Sequence, residues 1–122
     1  MDNADSFLQI MKNRWKLNLY LLTNLPSAFF SGVRVRKIEK EYAEVSVPYI
    51  WFSRNPFRST YFACLSMGAE MSTGILALMY IYGIKPEISM LVTELECQFH
   101  KKAVGTTRFT CYDGNLIRQA IQ

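Results

Sequence analysis

The chain has 122 residues, of which 50% are hydrophobic and 20% charged, with six glycines and four prolines. That length holds one core and leaves no room for a second, and the composition excludes disordered, collagen-like and linker-like chains. Fourteen Lys and Arg against ten Asp and Glu give a net charge of +4, which suits an anionic ligand but lacks the basic stripe of a duplex-DNA binder, so no nucleic-acid partner is expected.

Asp5 or Ser6 caps a predicted first helix that runs to about Asn24, where Leu25-Pro26 stops it. Phe7, Ile10, Met11, Leu17, Leu21 and Leu22 give this helix its apolar face. Ser27 to Gly32 reads as a turn. Val33 to Ile38 and Ala43 to Val47 read as strands, joined by Glu39-Lys40-Glu41 as a hairpin and ended by Pro48. The cations Arg34, Arg36 and Lys37 alternate with Val33, Val35 and Ile38, the pattern of a strand with one solvated face; a phosphate site is the other reading. Tyr49 to Arg58 is irregular, aromatic and basic. Thr60 to Tyr82 follows as one helix with a single charge, Glu70, about 35 Å long and ended by Gly83 and Pro86. Ile88 to Phe99 and Ala103 to Tyr112 read as two further strands around a His100-Lys101-Lys102 turn. The tail after Asp113-Gly114 is helical. The order predicts an α+β fold in a single domain, residues 1–122. Residues 1–31 form an N-terminal helix and turn, and residues 32–122 form the core.

Cys64, Cys97 and Cys111 are odd in number and show no Cys-x-x-Cys spacing. With His100 as the lone histidine, they predict free thiols in a reducing compartment and no metal site. The acidic start, Asp2 to Asp5, leads into no secretory apolar stretch, so no signal peptide and a cytoplasmic location are expected.

The helix from Thr60 to Tyr82 meets the length of a membrane span, so two readings compete. Against the span stand Glu70 near its centre, the dilution by Ser66, Ser72, Thr73 and two glycines, and β-rich flanks that need a surface of their own. The other reading is a helix embraced by a curved antiparallel sheet. One stripe then carries Ser59, Ala63, Ser66, Glu70, Thr73 and Ala77, small everywhere but at Glu70. The opposite stripe carries Leu65, Gly68, Ser72, Ile75 and Met79. Small neighbours let a backbone or a slender ligand approach Glu70 closely. A carboxylate held in such a seam is either a general base or an anion paired with an Arg or bonded to Ser66 and Thr73.

The element order, together with Asn55-Pro-Phe-Arg-Ser59-Thr-Tyr61-Phe-Ala-Cys-Leu-Ser-Met-Gly-Ala69-Glu70, resembles the hotdog-fold thioesterases, in particular the small phenylacetate-type acyl-CoA thioesterases and a related thioesterase-like branch. Asn55 matches the family's Asn, Ser59 its Thr, and Ala69-Glu70 its Ala-acid pair. Arg58 stands at the usual Gly, Tyr61 at the usual His, and Phe62-Ala63 at Gly-Gly. The resemblance covers roughly Gly32 to Tyr112. It implies a curved antiparallel sheet wrapped around the apolar helix, short at its C-terminal end, and a homodimer or dimer of dimers with active sites between subunits and Ile88 to Phe99 as a pairing edge. It further implies hydrolysis of acyl-CoA or acyl-carrier thioesters, with no cofactor beyond the coenzyme A moiety of the substrate.

On that reading Glu70 is general base or nucleophile, Asn55 orients carbonyl or water, and Thr73 bonds substrate or base. Backbone N–H groups near Tyr61, Phe62 and Ala63 form the oxyanion site at the positive helix end. Arg58, Ser59 and Ser66 complete the substrate contacts, and Arg58 and Arg54 either meet coenzyme A phosphates or serve solubility. The rival reading is a hotdog-like acyl-binding or assembly module without turnover.

Overall fold

The computed structural model describes residues 2–122. Two helices, not one, open the chain: α1 (Asn3–Lys12) and α2 (Arg14–Asn24). Asp2 caps α1, its carboxylate accepting from the Asp5 N–H at 2.8 Å, so the start lies earlier than Asp5 or Ser6. The break falls at Asn13, whose backbone turns extended (φ −81°, ψ 109°) while its side chain accepts from the N–H groups of Trp15 and Lys16. Asn is a strong helix cap, and this one ends α1 and begins α2 at once. The resulting elbow buries Phe7 and Met11 with Leu17 and Leu21, two pairs that a straight helix presents less well.

The expected turn at Ser27–Gly32 holds a short helix, α3 (Pro26–Phe30), with Pro at its first position as helix starts favour. Gly32 then adopts φ +83°, and the chain enters the sheet. Strands β1 (Arg34–Ile38) and β2 (Ala43–Val47) form the predicted hairpin, closed by Glu39 N–H donating to Tyr42 O at 2.8 Å. A third strand, β3 (Thr107–Cys111), pairs antiparallel with β2, giving the order β1-β2-β3. It occupies the C-terminal half of the strand expected over Ala103–Tyr112. The tail is helical as expected, in α5 (Gly114–Ile121).

The strand expected over Ile88–Phe99 is not formed. That stretch is irregular and mostly exposed, with Leu91 at 85% exposure. Its strand-like composition reflects fitness for a pleated, half-buried surface, and no neighbour here supplies that surface.

The long apolar helix is α4 (Phe62–Ile81), which packs on all three strands and on α1, α3 and α5. By length and composition it is able to cross a bilayer. Leu65, Gly68, Ser72, Ile75 and Met79, the stripe opposite Glu70, are all buried, so this face and not the small-residue one meets the sheet. Gly68 marks the closest approach to the sheet: a methyl group there would overlap Val47 Cγ2 and lie 2.9 Å from the Phe109 ring. The fold is therefore α+β, one three-stranded antiparallel sheet against one long apolar helix, with Val33, Val45, Val47, Leu76 and Met79 among the fully buried core.

Candidate functional site

The small-residue stripe is the more open face of α4. Ala63, Ser66, Glu70 and Ala77 are half-buried, Thr73 is exposed, and only Ser59, ahead of the helix, is buried. Glu70 therefore projects where α2 and α3 face α4. No ion pair among the described residues involves it. Its carboxylate reaches forward along α4 over Gly74, close enough that a methyl group there would sit 2.7 Å from Oε1. The glycine is what leaves space for this conformation. Two apolar grooves meet at the carboxylate. One, of about 300 Å³, runs past Leu25, Pro26, Ala28, Met67 and Met71. The other, of about 180 Å³, runs past Tyr20, Leu21, Ile75, Leu78 and Met90. Glu70 is thus a half-buried, unpaired acid beside free apolar volume.

Neither expected local partner reaches that carboxylate. The Thr73 hydroxyl donates to Glu70's own backbone carbonyl at 2.9 Å, which leaves Thr73 a helix-surface residue. Ser66, one turn before, lines neither groove.

The other predicted residues assemble elsewhere. Asn55 organises a tight loop ahead of α4: its Oδ1 accepts from the N–H groups of Phe57 (2.9 Å) and Ser59 (3.2 Å), and its Nδ2 donates to Ser59 Oγ at 2.9 Å. Both ends of the amide are spent within the loop. Arg58, at the tip, has φ +61°, the left-handed region that glycine occupies without cost. The position that holds Gly in the resembled motif is thus the one that needs a glycine's backbone here.

At the start of α4, Tyr61 N–H donates to Ser53 O at 2.7 Å and is removed from any oxyanion site. The Phe62 and Ala63 N–H groups, lying in the first turn, lack the intrahelical acceptors that later residues have. Tyr61 and Phe62 are both exposed, their rings 5.0 Å apart, and Phe62 also meets Phe99.

This loop opens on its own groove, of about 360 Å³, with Asn55, Ser59, Thr60 and Phe62 on one wall and Phe99 to Ala103 on the other. Thr60 ties the walls together, its N–H and hydroxyl both reaching Ala103 O (2.8 and 3.1 Å). An apolar extension continues past Leu65, Cys97, Thr107 and Phe109. The structure thus divides the predicted site in two: Glu70 in one groove, Asn55, Ser59 and Phe62 in another. Arg58 and Arg54 are exposed and line neither.

Sequence reasoning missed the residues that wall Glu70's grooves from α2 and α3, namely Tyr20, Leu21, Leu25 and Ala28. It also missed Ser53, fully buried, which accepts from Ile50 N–H and donates to Pro48 O, turning the chain after β2. The apolar face noted around Leu21 was the available signal for the first group; nothing marked Ser53. The cysteines are free thiols, Cys64 and Cys111 buried and Cys97 half-buried. No group of three or more His, Cys, Asp or Glu among the described residues is placed to hold a metal ion.

No protein-family model matches this chain, and no curated protein or solved structure matches it either.

Proposed function

We propose that this chain is a hotdog-type thioester hydrolase acting on acyl-CoA or acyl-carrier thioesters, with Glu70 as the general base. The observation that carries this reading is the Glu70 carboxylate itself: half-buried, free of any ion pair among the described residues, and placed where two apolar grooves converge. A carboxylate held to stabilise a fold sits against a cation or a set of donors, because burial without them is costly. This one faces space that an acyl chain fits. A water between it and a thioester carbonyl would lose its proton to the carboxylate as it attacks, and the thiolate would leave.

Oxyanion donors are the second requirement, and Phe62 and Ala63 N–H supply them at the positive end of α4. They lie roughly 10–12 Å along the helix from Glu70 at 1.5 Å per residue, too far to serve the same carbonyl within one chain. A homodimer that sets the Asn55–Ala63 region of one copy beside Glu70 of the other completes the site, which agrees with the subunit-interface sites that the resemblance implies. The same reading keeps α4 against protein rather than lipid and places the protein in the cytoplasm.

The test is thiol release from a panel of short, long and aromatic acyl-CoAs. Glu70→Gln should lower turnover at least ~10²-fold, a general base's ordinary contribution. Unchanged turnover in a folded variant removes Glu70 from the chemistry. One observation favours the non-catalytic alternative: Asn55's amide is fully engaged within its own loop, leaving nothing to orient substrate. That alternative predicts saturable acyl-CoA binding with no thiol released by the wild-type chain.

A further inference from the structure

The basic run on β1 belongs to a separate groove. Its volume is about 250 Å³, and it shares no residue with the grooves around Glu70. Lys12 and Arg14, flanking the Asn13 elbow, line one side, and Arg36 and Lys37 of β1 line the other. Glu39 is the single carboxylate in the groove, and it already pairs with Lys12 at 2.9 Å. Four cations against one acid concentrate there +3 of the chain's net +4.

A β-bulge creates the cation pair on β1. Val35 faces Val45, but the next pairing is Lys37 with Glu44, so Arg36 is an extra residue in the strand. Simple alternation would send Lys37 to the same side as Val35, into the core. The bulge instead leaves Arg36 and Lys37 both exposed while Val35 and Ile38 are both buried. Re-aiming a side chain is a recurrent use of bulges. Lys37's cross-strand neighbour, Glu44, is bound by Arg108 at 2.7 Å and does not neutralise it. Arg36 donates from Nε to Ser46 Oγ at 2.7 Å, which fixes its stem, and no hydrogen bond among the described residues engages its terminal guanidinium nitrogens.

Charge on an edge strand also guards against edge-to-edge pairing, but that purpose needs no cation from the helical elbow and no concave floor. Here Arg14 adds a cation from the second element, and Met11, Leu17 and Ile38 form an apolar floor with Tyr42 beside it. The geometry points to a binding site for a small organic polyphosphate, of the nucleoside diphosphate class. Its phosphates would meet Arg14, Arg36 and Lys37, and its uncharged ring would rest on the Met11–Leu17–Ile38 floor. Guanidinium groups suit phosphate oxygens through paired, charge-assisted hydrogen bonds.

The experiment is calorimetric titration of the full chain with ADP, pyrophosphate and adenosine at constant ionic strength. ADP should bind one per chain and more tightly than pyrophosphate, while adenosine should not saturate. The double variant Arg36→Ala/Lys37→Ala should weaken ADP at least ~10-fold, the usual effect of losing hydrogen bonds to a charged group, and Arg14→Ala alone should weaken it measurably. Lys85→Ala/Arg118→Ala removes the same charge elsewhere and should leave the affinity within about two-fold, since distant surface charges are screened. If the double variant is unfolded by circular dichroism, Arg36→Gln and Lys37→Gln are read singly in its place. The proposal is overturned by absence of saturable ADP binding, by equal affinity for ADP and pyrophosphate, by an inert Arg14→Ala, or by an equal loss in the distant pair.

Discussion

Gly74→Ala separates the chemistry of Glu70 from the stability of the helix that carries it. Gly74 lies inside α4, where an alanine gains about 1 kcal/mol of helix stability over glycine. The only neighbour a new methyl group would crowd is the Glu70 carboxylate, with Oε1 at 2.7 Å and Cδ at 3.4 Å. That neighbour is the end of a flexible side chain on a solvent-reached face, so it moves aside and the backbone does not. Stability should therefore rise by about 0.5–1 kcal/mol, a melting temperature higher by roughly 2–5 °C for a chain of this size. Catalysis should move the other way. With Glu70 as the general base proposed above, displacing its oxygen by about 1 Å can cost on the order of 10² in rate, so thiol release should fall by about that factor. Differential scanning calorimetry and a thiol-release assay on the same preparation read both effects. A variant that is more stable and equally active refutes the argument, because the carboxylate conformation over Gly74 would then play no part in turnover.

The second helix glycine should respond in the opposite sense: Gly68→Ala forces a methyl group into Val47 and the Phe109 ring, an overpacking cost of about 1–3 kcal/mol that exceeds the propensity gain, so denaturant unfolding should show a net loss near 1 kcal/mol. Arg58→Gly should stabilise by up to about 1 kcal/mol by relieving the φ +61° strain, measured by chemical denaturation. Around Lys40 the pH dependence has two ends. The hydrogen bond from Lys40 (2.8 Å) holds the Asp5 carboxyl below its ordinary 3.8, so its contribution is present above that value and is lost as pH falls through the depressed one. Lys40 is raised above 10.5 chiefly by the same bond, so its contribution is complete below 10.5 and is lost as pH rises through the raised value. Lys40→Ala should flatten both limbs of a stability–pH profile, and wild type in high salt should resemble it.

What the sequence made legible was whatever depended on local periodicity. The two stripes of α4 were readable because the 3.6-residue repeat sets which side chains share a face, whatever lies opposite. The β1–β2 hairpin was readable because Ala43, Val45 and Val47 alternate around a polar turn. The Asn13 break was not: Asn is tolerated inside a helix, and its capping role shows only once Trp15 and Lys16 N–H point at it. The bulge at Arg36 was hidden likewise, since it exists only as a mismatch between two strands. At the candidate site, Glu70 stood out because a lone charge in an apolar helix is conspicuous. Its separation from Asn55 did not, because motif spacing counts residues along the chain, whereas the direction each side chain takes depends on where the helix starts. The irregular course of Ile88–Phe99 depends on a missing neighbour, which no local pattern records.

The elbow at Asn13 also bears on how the N-terminal region folds. It divides one length of helix into pieces of 10 and 11 residues, each below the roughly 12–15 at which an isolated helix holds together in water. Neither piece has the nucleation advantage of a long segment, so each must acquire its order from the surface it lands on. For α1 that surface includes α4 and β1, for α2 it includes α3. The first fifth of the chain is therefore expected to melt with the core in a single cooperative step, and an excised peptide covering residues 2–24 should be largely coil.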